Sequence, residues 1–333
     1  MRRRTLFLMV AALVSLALKL PASAAVNGRV VNATTGQPAA GATVILISFA
    51  QGMDPIEEVF ADSDGSFAFT KELVSSGSQP LAGLVRAEFE GIAYTTRVMK
   101  GQTANMEALV YESTSRRLDP TGRILLLHPG ANELLINESY LFENNLDPAV
   151  TYSDPDNGSL RFYLPPEAKG IVQVEGQGPA RMPLSSSAVE SDEKDIWMVD
   201  FPVKPGNNQI SLTYLIPYSG EAELLLRTPY KSMMTRVAIP EAVEVLSEGV
   251  QSLGQEQQTG AMIYEMPATT DFRLAFKGVG AMRGASSVQA SDPGEADEIR
   301  IEATPVSQEM PWLFALAGAI LVIGFYNLYS SKQ

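Results

Sequence analysis

The chain offers few side chains for catalysis, because it has no cysteine and a single histidine, His128. Without cysteine it has no thiol nucleophile and no thiolate metal ligand. A zinc site of two or more histidines is excluded, and a Ser-His-Asp triad would depend on His128 as its base. His128 lies between Leu127 and Pro129 at the end of an apolar segment, a position that favours a structural role. These observations predict that the chain is not an enzyme and carries no cofactor.

Two aspartate-rich turns offer oxygen atoms to a hard cation. Asp154, Asp156 and Asn157 stand just before a glycine, as do Asp62 and Asp64. Carboxylate and amide oxygens are the ligands that Ca²⁺ takes in proteins. Neither turn has the distant bidentate glutamate of an EF-hand, and the same residue types form tight turns without a metal. Both interpretations stay open, and residues 154–157 are the better candidate metal site.

Aromatic side chains on an exposed face would allow the chain to bind sugars by stacking. Trp197 and Tyr218 are the candidates for this role. Most aromatic residues of this region lie in alternating segments, where packing in a core is the commoner use of the ring. Carbohydrate binding is therefore the alternative hypothesis for the function.

The charge of the chain argues against one class of partner. The formal net charge is −13, and removal of residues 1–24 would take away Arg2–Arg4 and Lys19 but no acid, leaving −17. Such a surface repels phosphate backbones, so nucleic acid is not an expected partner.

The segments that must position these residues have the pattern of short β-strands. From Val44 to Phe49 both sets of alternate positions are largely apolar, which predicts a strand buried on both faces. Asp62–Gly65 is typical of a turn, after which Phe67 and Phe69 point to one face. Further strands are predicted at Gly83–Phe89, Ala93–Met99 and Asn105–Tyr111. Residues 25–111 are therefore expected to form a sandwich of about seven strands.

The turn and core residues of this first segment form a recognisable set: Gly28-x-Val30, Gly36-x-Pro38, Gly41-Ala42-x-Val44 and Asp64-Gly65-x-Phe67-x-Phe69. In this pattern the segment resembles the carboxypeptidase regulatory-like domain. The resemblance implies a transthyretin-like or starch-binding-like β-sandwich at the N-terminus of a bacterial single-pass envelope protein. Such modules accompany peptidases, outer-membrane receptors and adhesins. The matched residues form turns and core, so no binding residue follows from the resemblance.

A second β-rich region is predicted after a linker at 112–122. Its strands are expected at Arg123–Leu127, Glu133–Phe142, Leu160–Leu164, Ile171–Val174, Ile196–Phe201, Gln209–Ile216, Ala222–Leu226 and Met233–Ile239. Their spacing of roughly ten residues suggests a second sandwich. Ser185–Lys194 is polar and acidic, and is predicted to be an exposed loop. Residues 241–277 are expected to extend the second sheet, with a small satellite as the alternative.

The two ends of the chain have the composition of targeting and membrane segments. Residues 1–24 combine a basic start, an apolar run and a small-residue cleavage site, as signal peptides do. Trp312–Tyr329 carries no charge over eighteen residues, which as a helix would measure about 27 Å. Aromatic residues at both of its ends fit the two membrane interfaces. An uncleaved anchor and a buried core helix are the respective alternatives.

The sequence thus predicts an all-β protein of tandem β-sandwich domains with a signal peptide and one transmembrane helix. The predicted segments are a signal peptide (1–24), a first sandwich (25–111), a linker (112–122), a second sandwich (123–277), a flexible acidic stalk (278–310), a transmembrane helix (311–329) and a cytoplasmic tail (330–333). The expected location is the bacterial cytoplasmic membrane, with the N-terminal domains in the periplasm. The predicted function is a non-enzymatic envelope protein that binds a protein partner or assembles a complex. A carboxylate-based hydrolase is the third hypothesis, although no spacing of acids marks its site.

Overall fold

The computed structural model describes residues 26–50, 52–73, 81–231 and 233–283. In these ranges the regular structure consists of 24 β-strands without a helix, which confirms the predicted all-β class. Accordingly, no helix that could span a membrane is found in the described residues. The predicted signal peptide (1–24), the greater part of the stalk (284–310), the transmembrane helix (311–329) and the tail (330–333) lie outside them.

The first module, residues 26–111, is a β-sandwich of two sheets. Its strands are β1 (Asn27–Asn32), β2 (Gln37–Pro38), β3 (Thr43–Ser48), β4 (Asp54–Phe60), β5 (Ser66–Ala68), β6 (Leu81–Phe89), β7 (Ile92–Met99) and β8 (Met106–Val110). In one sheet β1 pairs antiparallel with β2 and β5 and parallel with β8. The other sheet has the order β4-β3-β6-β7. Val30 and Phe67 of the first sheet pack on Val44, Leu46 and Val85 of the second, and form the core between them.

The glycines of the first module are required where backbones approach closely. Gly28 faces the parallel strand β8, and a Cβ at this position would lie 2.0 Å from the carbonyl oxygen of Met106. Gly65 has a φ of +79° in the turn before β5, a conformation that favours glycine. The same turn is closed by Asp64, which accepts hydrogen bonds from the backbone nitrogen (3.0 Å) and hydroxyl (2.6 Å) of Ser66. These residues therefore serve turns and packing, as the sequence predicts.

The strand β3 is buried on both faces, as predicted, and the cover of its outer face comes from the second module. Ile45 and Ile47 point away from the sandwich core and form a separate buried cluster with Leu84. Met182, from the hairpin that follows residue 177, packs against this cluster. The apolar outer positions of β3 are thus explained by contact between the modules.

The second module contains one large sheet and several small ones. Its strands are β9 (Ser113–Thr114), β10 (Gly122–Pro129), β11 (Glu133–Asn144), β12 (Thr151–Tyr152), β13 (Leu160–Tyr163), β14 (Lys169–Gln177), β15 (Pro183–Ser186), β16 (Ala188–Glu190), β17 (Ile196–Val199), β18 (Gly206–Pro217), β19 (Glu221–Arg227), β20 (Met234–Pro240), β21 (Glu244–Val245), β22 (Gln251–Gln255), β23 (Ala261–Glu265) and β24 (Asp271–Lys277). Among the described residues the large sheet has the order β15-β14-β18-β11-β10-β20-β23-β22. The sheets β13-β17-β16 and β19-β24-β21 share one core with it, in which Tyr140, Phe142, Phe162 and Phe276 are fully buried.

Three segments differ from the sequence-based expectations. The predicted loop Ser185–Lys194 contains the end of β15 and the whole of β16, because Ala188–Glu190 pairs with β17. Residues 241–277 divide between two sheets: β22 and β23 extend the large one, whereas β24 pairs with β19. The predicted stalk does not begin at 278, since the hydroxyl of Tyr218 donates to the carbonyl of Gly278 (2.6 Å) and Met282 is buried.

The junction between the modules is held by side chains as well as by the connecting chain. The hydroxyl of Tyr94 donates to the carbonyl of Tyr111 (3.0 Å) and lies 2.8 Å from the hydroxyl of Thr151 in the second module. The hydroxyl of Thr34 donates to the carbonyl of Ala149 (2.6 Å). Burial raises the pKa of Tyr94 to about 12, so this hydroxyl keeps its proton and its donor role at neutral pH. Within the predicted linker 112–122, β9 pairs with β12, which ties the connection to the second module.

Candidate functional site

The candidate site is a groove of about 1030 Å³ on the face of the large sheet that points away from the core. We call it the polar groove. Its floor is formed where the neighbouring strands β14, β18 and β11 present polar side chains at alternate positions. These are Gln173, Glu175, Gln209, Ser211, Thr213, Asn137 and Ser139. Ser185–Ser187, at the end of β15 and just after it, form one rim.

Hydrogen bonds between strands fix the polar side chains of the floor. Asn137 donates from its amide nitrogen to the hydroxyl of Thr213 (2.9 Å). Gln209 donates to the hydroxyl oxygens of Ser139 (3.1 Å) and Ser211 (2.9 Å), and these two hydroxyls lie 2.9 Å apart. In the described part of the chain, the side-chain carbonyl oxygens of Asn137 and Gln209 accept no hydrogen bond. The floor therefore offers preorganised acceptors and hydroxyls to a ligand.

One end of the groove is apolar and includes Trp197. This residue lies on β17, is half-buried, and packs against the core of the second module. Leu164, Ala168 and Val172 line the same end of the groove. Because the core holds the indole on one side, the part that reaches the groove has a fixed position. A concave site with an aromatic ring beside convergent polar groups is the usual form of a small-ligand site.

The groove carries negative charge. Glu175 is exposed within it, and those lining side chains that the structure describes include no lysine or arginine. A ligand that binds here therefore lies close to the carboxylate of Glu175.

The arrangement is suited to recognise a polyhydroxylated ligand. Hydroxyl groups of such a ligand can both donate to the amide oxygens and accept from the serine and threonine hydroxyls. The C–H faces of a sugar ring are apolar enough to pack on the indole of Trp197. Among the sequence candidates, Trp197 is thus placed where stacking on a ligand is feasible.

Tyr218, the other stacking candidate, does not fit the role. Its side chain is buried, and its ring stacks on Phe276 with the two centroids 5.8 Å apart. Its hydroxyl donates a hydrogen bond to the carbonyl oxygen of Gly278. The alternating pattern of β18 could not show this, because Tyr218 lies just beyond the end of that strand.

The candidate metal residues 154–157 form a closed turn. Asp154 accepts hydrogen bonds at Oδ1 from the backbone nitrogen of Asn157 (3.0 Å) and at both oxygens from its amide nitrogen (3.1 and 3.2 Å). The carbonyl of Asp154 also accepts from the nitrogen of Gly158 (2.7 Å). Asp156 is exposed. In the described residues no three histidine, aspartate or glutamate side chains are placed to hold a metal ion together. Calcium binding at Asp154, Asp156 and Asn157 remains a prediction.

The other aspartate turn is likewise closed by its own hydrogen bonds. Hydrogen bonds from Ser66, together with Arg29 at 3.0 Å, lower the pKa of Asp64 to about 2. His128 is half-buried on β10, where burial lowers its pKa and favours the neutral ring.

A buried polar cluster on the core side of the same sheet was missed by the sequence analysis. Arg123 NH1 donates to Glu138 Oε1 (3.2 Å), and both side chains are almost completely buried. The hydroxyl of Tyr140 donates to the same carboxylate oxygen, and that of Tyr214 to the other (3.2 Å). Burial, reinforced by the charge of Glu138, raises the pKa of both tyrosines well above the usual value. The sequence does contain a signal for this cluster, because each of two strands with alternating apolar residues has a charged residue at a core position. These residues are Arg123 on β10 and Glu138 on β11.

No family model and no curated protein matches the chain. Among solved structures, it is similar to an M1 zinc metallopeptidase from Deinococcus radiodurans with bound Tyr-Ser-Ala substrate (13% identity, TM-score 0.29). A two-domain M1 zinc metallopeptidase with bound L-arginine matches at 14% identity and a TM-score of 0.27. Each match covers 49% of this chain and 43% of the other, so the chain spans less than half of those proteins.

These matches correct one prediction. The expectation that the chain is not an enzyme does not stand, because the solved structures that it matches are metallopeptidases. At TM-scores of 0.27 to 0.29 the likeness gives this chain no activity, substrate or metal of its own. We therefore assign the chain to neither class.

Proposed function

We propose that the chain is a membrane-anchored protein of the bacterial envelope that binds a carbohydrate in the polar groove. The observation that carries the proposal is the ladder of hydrogen-bonded amides and hydroxyls on β11 and β18, with Trp197 at one end of the same groove. Polar groups with free acceptors would bind ring hydroxyls, and the indole would pack on the sugar. Carbohydrate binding, the alternative from the sequence, is thus the function that the geometry favours.

The cellular setting is part of the proposal and is supported by the sequence. A signal peptide at 1–24 and a transmembrane helix at 311–329 would place the two β-rich modules in the periplasm and the C-terminus inside the cell. We further propose that the first module is a carboxypeptidase regulatory-like domain. Its support is that Gly28 and Gly65 occupy the close approach and the turn that this pattern requires.

Trp197→Ala tests the carbohydrate proposal. The full-length protein in mild detergent would be run in native gels that contain starch, hydroxyethylcellulose or dextran. We expect at least one polysaccharide to retard the wild type. Trp197→Ala should weaken that retardation roughly tenfold, since about 1.5 kcal/mol of apolar burial is lost.

Two variants separate binding from folding in this experiment. Trp197→Phe keeps an aromatic face and should retain part of the affinity. Gln209→Ala removes an amide of the groove without touching the core and should also weaken binding. If no polysaccharide retards the wild type, or if Trp197→Ala and Gln209→Ala migrate as the wild type does, the groove does not bind these sugars.

A second candidate function, binding of a protein partner in the envelope, is favoured by a different surface. A groove of about 350 Å³ lies between the modules, lined in part by Tyr94, Tyr111 and Met182. Leu109 and Leu184 line it too and are 38% and 49% exposed. Exposed apolar residues beside a groove are typical of protein interfaces.

Leu184→Asp tests this second candidate. Residue 184 lies on the edge strand β15, so a charge there is expected to leave the fold intact. The measurement is the yield of any partner protein that is cross-linked to the chain in intact cells. This yield should be several-fold lower with Leu184→Asp than with the wild type. The control is Leu253→Asp, at an exposed position on the opposite edge strand β22, which should leave the yield unchanged. Recovery of the chain alone, or equal yields from all three proteins, would count against a partner at this groove.

A further inference from the structure

The position of Glu175 gives the polar groove a defined electrostatic character. On β14 this residue pairs with Ser185 on one side and with Ser211 on the other, so its direct neighbours across the sheet are uncharged. Its side chain is exposed and makes no ion pair or hydrogen bond within the described residues. The charge is therefore directed at whatever occupies the groove.

The path of a ligand through the groove passes this carboxylate. The strands β14, β18 and β11 are adjacent, and neighbouring strands lie about 4.8 Å apart, so their side chains span about 10 Å across the floor. A ligand that lies across Ser139 on β11 and Ser211 on β18 reaches β14 at Glu175, because these residues are paired across the three strands. A short extended oligosaccharide fits this path better than a single compact sugar.

We infer that the groove selects neutral glycans and rejects anionic ones, and that Glu175 is the residue that sets this specificity. The inference rests on the proposed function, because it names the class of carbohydrate that the same site takes. A carboxylate or sulfate on the ligand would be repelled by Glu175, and the described side chains of the lining include no lysine or arginine to offset this repulsion. The neutral hydroxyls of an uncharged glycan can instead donate hydrogen bonds to the carboxylate, and such charge-assisted bonds are strong.

The test compares neutral polysaccharides with their carboxymethylated forms. The pairs are starch and carboxymethyl starch, hydroxyethylcellulose and carboxymethylcellulose, and dextran and carboxymethyl dextran. At low ionic strength we expect the full-length wild type to bind the neutral member of at least one pair roughly tenfold more tightly than the anionic member. Added salt should narrow the difference, because exposed charges are screened.

Glu175→Gln and a matched control complete the experiment. Glu175→Gln should reduce the difference within the pair to about twofold or less. Glu133→Gln makes the same change of charge at an exposed position of β11 outside the groove lining, and should leave the difference as in the wild type. Equal binding of both members by the wild type, or an unchanged difference in Glu175→Gln, would overturn the inference while leaving the groove as a glycan site. If the wild type binds neither the neutral nor the anionic member of any pair, the proposed function is wrong, and this inference with it.

Discussion

Arg123→Met is expected to destabilise the folded chain by about 3–5 kcal/mol, because it leaves the carboxylate of Glu138 buried without a cation. The two side chains are 4% and 3% exposed, so water cannot replace the lost guanidinium. Tyr140 and Tyr214 would still donate to the carboxylate, but two neutral donors do not offset a buried charge. The measurement is the urea dependence of unfolding of the full-length protein, followed by circular dichroism.

A double variant separates the buried charge from lost packing. The double variant Arg123→Met, Glu138→Gln removes both buried charges. The amide oxygen at position 138 can still accept a hydrogen bond from a tyrosine hydroxyl. We expect this protein to lie within about 1–2 kcal/mol of the wild type, since a buried ion pair often contributes little net stability over a neutral replacement. If the double variant were as unstable as Arg123→Met, the cost would come from packing around the arginine.

An exposed ion pair in the same module is the matched control. Arg273 donates to Glu223 at 2.7 Å, but the side chains are 67% and 54% exposed. Arg273→Met should therefore change the free energy of unfolding by less than about 1 kcal/mol. A loss as large as that of Arg123→Met would show that burial does not determine the difference between the two pairs.

The long strands of the second module could be predicted from the sequence where they have a local signature, whereas the short strand β16 was not predicted. The pattern of Gln209–Ile216 predicted a strand, and the structure has β18 at Gly206–Pro217. The same alternation marks β11, where Ile136 and Tyr140 face the core and Asn137 and Ser139 face outward. Strand positions depend on neighbours two residues apart, which a sequence displays directly.

The polar groove could not be predicted, because its members come from distant parts of the chain. Asn137 meets Thr213 and Ser139 meets Ser211 through the pairing of β11 with β18, across separations of 76 and 72 residues. A shift of this register by one residue would turn the polar row toward the core. Which of Trp197 and Tyr218 lines the groove depends on the same long-range packing.

Gly65→Ala is expected to destabilise the chain by about 2–5 kcal/mol, from two separable causes. An alanine at a φ of +79° costs about 1–2 kcal/mol in backbone strain. Its Cβ would also lie 2.5 Å from the carbonyl oxygen of Val30 on β1, and moving the two backbones apart adds about 1–3 kcal/mol. The turn cannot move away freely, because the nitrogen of Val30 donates to the carbonyl of Gly65 at 2.8 Å.

Gly36→Ala isolates the first of these causes. Gly36 has a similar φ of +73°, but a Cβ there would meet nothing within 4 Å. This variant should therefore lose only about 1–2 kcal/mol in urea unfolding of the full-length protein. The difference between the two variants measures how tightly the turn before β5 is held against β1. Equal losses in the free energy of unfolding would mean that glycine is required at position 65 for its backbone angle alone. The Asp64-Gly65 pattern would then specify the turn itself, and not the contact of that turn with the neighbouring strand β1.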